Sequence, residues 1–190
     1  MDKNYAVVET SKLAAVRGGG HIYSLIHDDD VENGCVGYVG ALAEDVEGQE
    51  TYEFGVFDED TLGKHKVILA ATPEWSYEEC HRDRQALYNF INEAGVVFRG
   101  FDLIVNDIYA VSASAINAGE IEEIKANQYL ITEAGSMKLK LVATEAETAD
   151  SAFVAKIEGK AVRNYGWEAK NGNYYGRKSV VYFVRVLKND

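Results

Sequence analysis

The chain is built from short apolar and polar runs whose spacing is typical of β-strands. In residues 50–57, Tyr52, Phe54 and Val56 alternate with other residues, which places the three side chains on one face of a strand. The segment 65–71, HKVILAA, contains a short continuous apolar run, which predicts a strand buried on both faces. Similar patterns predict further strands at 4–10, 20–27, 34–43, 96–103, 106–116, 121–132, 136–144, 151–159 and 179–188.

One segment after Pro73 changes from this period to helical spacing. Ser76 and Glu79 fit a capping box, which predicts the start of a helix, and Gly95 fits a C-terminal stop signal. The apolar residues that recur at helical spacing are Ala86, Leu87, Phe90, Ile91 and Ala94. These signals predict one principal α-helix around residues 77–94.

The composition supports a β-rich fold with short connections. The 190 residues include 17 glycines and 12 tyrosines but one proline, and glycine-separated runs of β-branched and aromatic residues are typical of all-β folds. We therefore predict a mainly β, antiparallel fold, a barrel or a sandwich, as a single β-rich unit over 1–190. Two lobes, 1–72 and 96–190, bridged by the helical segment 73–95, are the alternative.

The charge of the chain narrows its expected partners. Nineteen Lys and Arg against 31 Asp and Glu give a formal charge of −12, whereas binding to phosphate backbones depends on clustered Lys and Arg. We expect neither nucleic acid nor a membrane as a partner, because acidity disfavours contact with both anionic surfaces. Cys35 and Cys80 do not form a disulfide scaffold, and we expect two reduced thiols.

The stretch RGGGHIYSLIHDDD, residues 17–30, combines glycines, histidines and aspartates. No Gly-Lys-Ser/Thr follows the glycines, which argues against a phosphate loop. Asp28, Asp29 and Asp30 could bind a hard cation, but they lack the alternating ligands, central glycine and distant glutamate of an EF-hand. We interpret the stretch as a glycine turn, a strand and a solvated acidic loop. Whether the three aspartates bind a cation stays open.

No segment carries a recognisable catalytic or cofactor motif. Cys80 and His81 are adjacent, and neighbours on a helix do not face each other, so they do not form a nucleophile–base pair. No G-x-S-x-G elbow or H-E-x-x-H zinc motif occurs. We expect no catalytic residues, no metal and no cofactor, although carboxylates that are distant in sequence could still form a hydrolase site.

Four aromatic residues cluster near the C-terminal end, in NYGWEAKNGNYY. Tyr165, Trp167, Tyr174 and Tyr175 combine flat apolar area with polar tips, which suits a protein or sugar interface. Aromatic residues also pack the interiors of β-barrels, and the sequence does not decide between these interpretations. The four residues are the candidate interaction surface.

A longer stretch, 68–116, contains a distinctive order of short pieces. An apolar strand runs into an alanine-proline turn, a Tyr-Glu stretch, a Leu-Tyr-Phe segment, and then two aromatic strands. The pieces are Ala71-Thr72-Pro73, Tyr77-Glu78-Glu79, Leu87-Tyr88-Asn89-Phe90, Asn92-Glu93-Ala94-Gly95, Arg99-Gly100-Phe101 and Asp107-Ile108-Tyr109-Ala110-Val111-Ser112. This order, followed by KLKL, FVAKI and VYFVRVL, resembles virion structural proteins of tailed phages, of the capsid-associated, head-decoration or head-fibre kind.

The resemblance implies a bacteriophage head component that is not an enzyme. It implies the major capsid protein or other virion subunits as partners, a homo-oligomeric state, and a location in the virion after synthesis in the bacterial cytoplasm. Two alternatives remain. One is a receptor- or glycan-binding β module of a phage particle that uses the aromatic cluster, and the other is a hydrolase with dispersed carboxylates.

Overall fold

The fold is described by a computed structural model, which covers residues 4–44, 46, 50–74, 86–170 and 173–190. Within these ranges the backbone forms two β-sheets joined by turns and short 3-10 helices. No helix in the described ranges is long and apolar enough to cross a membrane. The strands are β1 (Val8–Glu9), β2 (Ile22–Ile26), β3 (Val36–Leu42), β4 (Tyr52–Gly55), β5 (Ile68–Ala70), β6 (Phe98–Asp102), β7 (Ile108–Ser112), β8 (Ile116–Asn117), β9 (Tyr129–Ile131), β10 (Leu139–Val142), β11 (Phe153–Lys170) and β12 (Asn173–Asn189).

The first sheet is a closed five-stranded barrel with the order β2-β4-β3-β5-β6. Its neighbours pair antiparallel except β2 and β4, which are parallel. One buried cluster contains Leu25, Phe54, Ile68 and Phe98, whereas Leu69 belongs to another cluster. All three residues of β5 are buried, which confirms a strand covered on both faces within the predicted segment 65–71, over Ile68–Ala70.

The second sheet has seven strands in the order β1-β7-β12-β11-β9-β10-β8. Neighbouring strands are antiparallel except β8 and β10. The largest buried cluster combines Tyr109, Leu130 and Phe153 of this sheet with Leu69 and Phe101 of the barrel. The barrel therefore packs against one face of the seven-stranded sheet, and burial of this apolar area stabilises the pair.

The other face of the seven-stranded sheet is covered by chain segments instead of a second sheet. Val7, Ala86 and Tyr88 pack there against Ala110 and Val181. The segments before β1 and around residues 86–89 thus cover the centre of this sheet. Residues on both faces of β7, and of β12 at Val181 and Tyr182, are buried as a result.

The mainly β prediction is confirmed, but the predicted helix at 77–94 is wrong over 86–94. A 3-10 helix, Leu87–Asn89, and extended residues occupy this part of the chain. The Tyr88 carbonyl accepts a hydrogen bond from the Tyr5 N–H, and Asn92 exchanges two backbone hydrogen bonds with Val31. Backbone groups that bond to residues distant in sequence cannot also make the i→i−4 bonds of an α-helix. Residues 77–85 of the prediction lie outside the described ranges.

The chain returns to the barrel after the 73–95 segment. β6 follows this segment and pairs with both β2 and β5, and the largest cluster draws on both sheets. A single unit over 1–190 and two lobes divided at 73–95 both stay predictions.

Candidate interaction site

The β11–β12 hairpin continues well beyond the sheet that contains it. β12 pairs with β7 over residues 181–185, and β11 pairs with β9 over residues 154–156. From 162 to 170 and from 173 to 180, these two strands pair with each other and with no other described strand. We call residues 162–170 and 173–180 the arm. Nine residues at about 3.4 Å each give it a length of roughly 30 Å.

One glutamate of β1 holds the first strand of the arm at its base. The Arg163 Nε donates to the Glu9 Oε1 at 3.0 Å, and the Tyr165 hydroxyl donates to the same oxygen at 2.7 Å. Burial, and then this hydrogen bond, raise the pKa of Tyr165, so the hydroxyl remains a neutral donor at physiological pH. Two donors on one carboxylate fix where the first strand leaves the sheet.

An arginine holds the second strand from the other side. The Arg177 Nη2 donates to the Asn4 Oδ1 at 2.8 Å, and its guanidinium carbon lies 4.0 Å from the centre of the Tyr88 ring. Such a cation–π contact is worth about 0.5–2 kcal/mol. Close to it, a Cβ added at Gly166 would lie 2.8 Å from the Ala86 Cβ. The base of the arm is therefore packed closely against residues 4–9 and 86–88.

The four aromatic residues of the predicted interaction surface lie on this hairpin. Tyr165 is buried at the base, and Tyr175 is 54% exposed farther out. The backbones of Trp167 and Tyr174 pair with Gly176 and Ala169, and their side chains lie outside the described part of the structure. Tyr165 therefore anchors the arm instead of contributing open surface, and the interaction surface itself stays a prediction.

The arm also carries an exposed face that the sequence analysis missed. Val162 and Val180 lie opposite each other across the hairpin and are 60% and 38% exposed. Strand alternation puts Lys160 and Lys178 on the same face, next to the two valines. We call these four residues the arm patch. The sequence signal for the hairpin that carries this patch is Asn171-Gly172, a pair that predicts a tight turn between two antiparallel strands.

The hairpin differs in charge from the rest of the chain. Residues 153–190 contain eight Lys and Arg and three Asp and Glu, a formal charge of +5, whereas residues 1–152 carry −17. We call residues 1–152 the acidic body. A basic projection on an acidic body gives the two parts opposite electrostatic preferences for partners.

A second candidate is a hollow of about 230 Å³ beside the barrel, lined by His21, Tyr23, His65 and Asp102 among others. His65 stacks on Tyr38 with 4.4 Å between ring centres. Burial, and then the charge of Asp102, raise the pKa of Tyr23. Within the described ranges no hydrogen bond joins the four lining side chains to one another. The hollow thus offers polar groups to a small ligand but no assembled proton relay.

The other candidate residues from the sequence belong neither to the arm nor to the hollow beside the barrel. Asp28, Asp29 and Asp30 are exposed, and the Asp30 Oδ1 accepts a hydrogen bond from the Ala94 N–H. Among the described residues, no group of three or more His, Cys, Asp or Glu side chains could hold a metal ion. Cys35 is a buried free thiol, and Cys80 lies outside the described ranges.

Comparisons with known proteins identify no relative of this chain. No protein-family model matches the chain, no curated protein matches it, and no solved structure matches the fold. The resemblance to phage head proteins therefore stays a prediction.

Proposed function

We propose that this chain is a structural subunit of a tailed-phage virion, associated with the head, which works through protein–protein contacts. The observation that carries the proposal is the arm, a two-stranded hairpin that extends roughly 30 Å past its neighbouring strands. An isolated hairpin is at best marginally stable in water, so further contacts are needed to stabilise its outer part. A neighbouring subunit supplies such contacts in an assembly.

The packing at the base of the arm supports the same function. The contacts of Glu9 with Arg163 and Tyr165, and of Arg177 with Tyr88, limit the directions in which the arm can point. A projection with a fixed direction loses less conformational entropy when it binds than a loose loop of equal length. The arm is therefore preorganised for one recurring geometry, which repeated subunits of a shell require.

The proposed location in a virion rests on the resemblance of residues 68–116 to phage head proteins. The acidic body is compatible with an outer position on the head, because it would be repelled by packaged DNA. The acidic charge also keeps free subunits apart before assembly. The expected partners are the major capsid protein or other virion subunits, together with further copies of this chain.

Mass spectrometry of purified particles tests this function. Particles of the phage that encodes the chain should contain many copies of it, and Tyr175→Asp should lower the copy number several-fold. The matched control is Leu42→Asp, since Leu42 is 57% exposed on the barrel and Tyr175 is 54% exposed on the arm. Particles without the chain would refute the proposal.

A receptor- or glycan-binding role is the second candidate, and the half-exposed Tyr175 on a projecting arm favours it. In that case a glycan array would show binding that Trp167→Ala removes, while incorporation into particles would be unchanged. The same two measurements, copy number and glycan binding, separate the two functions.

A further inference from the structure

We propose that the arm patch binds the acidic body of a second copy of this chain, in a head-to-tail contact. This inference rests on the proposed function, because it names the surface and the partner through which the subunit assembles. The patch is an apolar pair, Val162 and Val180, flanked by Lys160 and Lys178.

The lysines of the patch have charges that no described residue neutralises. Two arginines of the hairpin form ion pairs, Arg163 with Glu9 and Arg185 with Glu158, at 3.0 and 2.7 Å. Lys160 is exposed and has no ion-pair partner among the described residues, and the same is true of Lys178. An exposed apolar pair between two unpaired cations is complementary to an acidic surface with apolar positions.

The charge distribution selects the partner. Two acidic bodies, each carrying −17, repel each other, whereas the hairpin segment carries +5. The electrostatically favoured approach of two copies therefore places the arm of one against the body of the other. A contact between two different surfaces is heterologous, and it generates rings or filaments instead of stopping at a two-fold dimer.

The position of the patch leaves it accessible to a second copy of the chain. β12 has β7 as a neighbouring strand only over residues 181–185, so residues 173–180 lack it, and from residue 157 onward β11 has no described strand beside it except β12. The patch therefore lies where the hairpin leaves the sheet, with the rest of the arm extending past it. A neighbouring subunit can cover the two valines without displacing any described strand.

Nucleic acid is the competing occupant for a basic hairpin, but the charge of the whole chain disfavours it. A phosphate backbone that approached the arm would also meet the field of the acidic body. Binding to DNA is accordingly one of the outcomes that the experiment distinguishes.

The experiment is sedimentation velocity of the full chain at low and high salt. The wild type should form oligomers at about 50 mM NaCl that dissociate at about 500 mM, because screening weakens contacts between exposed charges. Lys160→Glu with Lys178→Glu should lower the association constant by roughly tenfold or more. The matched control is Lys64→Glu with Lys125→Glu, which changes the net charge equally at two exposed lysines of the body and should leave association within about threefold.

A mixing experiment tests the head-to-tail geometry. The double variant at Lys160 and Lys178 keeps an intact acidic body, so a fluorescently labelled sample should co-sediment with unlabelled wild type although it does not associate with itself. Circular dichroism melting curves close to that of the wild type confirm that both variants fold.

Three results would overturn the inference. These are a monomeric wild type at all concentrations, equal effects of the patch and control variants, and retardation of a DNA duplex that the patch variant abolishes. If particles contain the chain and incorporate the patch variant normally, the inference fails while the proposed function stands. If the chain associates through the patch but is absent from particles, the proposed function fails and the contact stands.

Discussion

The close approach of β3 and β4 in the barrel leaves no room for a side chain at Gly37. A Cβ built on this glycine of β3 would lie 2.5 Å from the carbonyl oxygen of Gly55 in β4 and 2.6 Å from the Cζ of Phe54. Ordinary contacts of a Cβ begin at 3.4 Å. We predict that Gly37→Ala strongly destabilises the protein, because one obstacle is backbone and the other is a buried ring.

The magnitude follows from the displacement that alanine would require. The two strands must separate by about 0.9 Å, the difference between 3.4 and 2.5 Å, which stretches the hydrogen bonds that join β3 to β4. Overpacking in a buried site costs about 1–3 kcal/mol when side chains can adjust. Since a carbonyl in a closed barrel adjusts poorly, we expect the free energy of unfolding to fall by about 3 kcal/mol or more.

Urea unfolding followed by fluorescence measures this change, and Gly159→Ala is the matched control. A Cβ at Gly159 in β11 would meet no atom within 4 Å, so this variant should stay within about 0.5 kcal/mol of the wild type. The reasoning is wrong if the two variants differ by less than about 1 kcal/mol, a difference small enough to arise without any clash.

Two further substitutions probe the buried polar groups. Tyr109 is buried, and its hydroxyl has no hydrogen-bond partner among the described residues. Tyr109→Phe should therefore leave the free energy of unfolding unchanged or raise it by about 1 kcal/mol. A decrease of more than about 1 kcal/mol in urea unfolding would contradict this. Burial, and then the charge of Glu32, raise the pKa of Cys35 to about 12, so the native thiol stays protonated at pH 8. In a Cys80→Ser background, a thiol reagent should modify Cys35 at pH 8 only as fast as the protein opens, and an equally fast reaction with and without urea would refute that.

The strand pattern of the chain was largely predictable because most strands are short and bury one face or both. The alternation in 50–57 and the apolar run at 65–71 correspond to β4 and β5. The parallel pairing of β2 with β4 was not predictable, since pairing between separate strands depends on closure of the barrel. The predicted helix failed over 86–94 because the backbones of Tyr88 and Asn92 bond to Tyr5 and Val31, far away in sequence, and tertiary contacts override local propensity.

The candidate site was predictable in location but not in the roles of its residues. Four aromatics within eleven positions, 165–175, indicated a special segment. A register shift between Asn164 and Trp167 interrupts the alternation there, and a single-residue slip moves every following side chain to the other face. Sequence alone therefore could not tell that Tyr165 points into the protein while Tyr175 points outward.

The place of the hairpin in the sheet has a consequence for synthesis in the cell. β11 and β12 are synthesised after β1 to β10, yet they lie between β7 and β9 in the middle of the sheet. A nascent or prematurely terminated chain that stops before residue 153 cannot join the two halves of this sheet. It also lacks the basic projection, so under the proposed head-to-tail contact such a copy could not offer an arm to a neighbour.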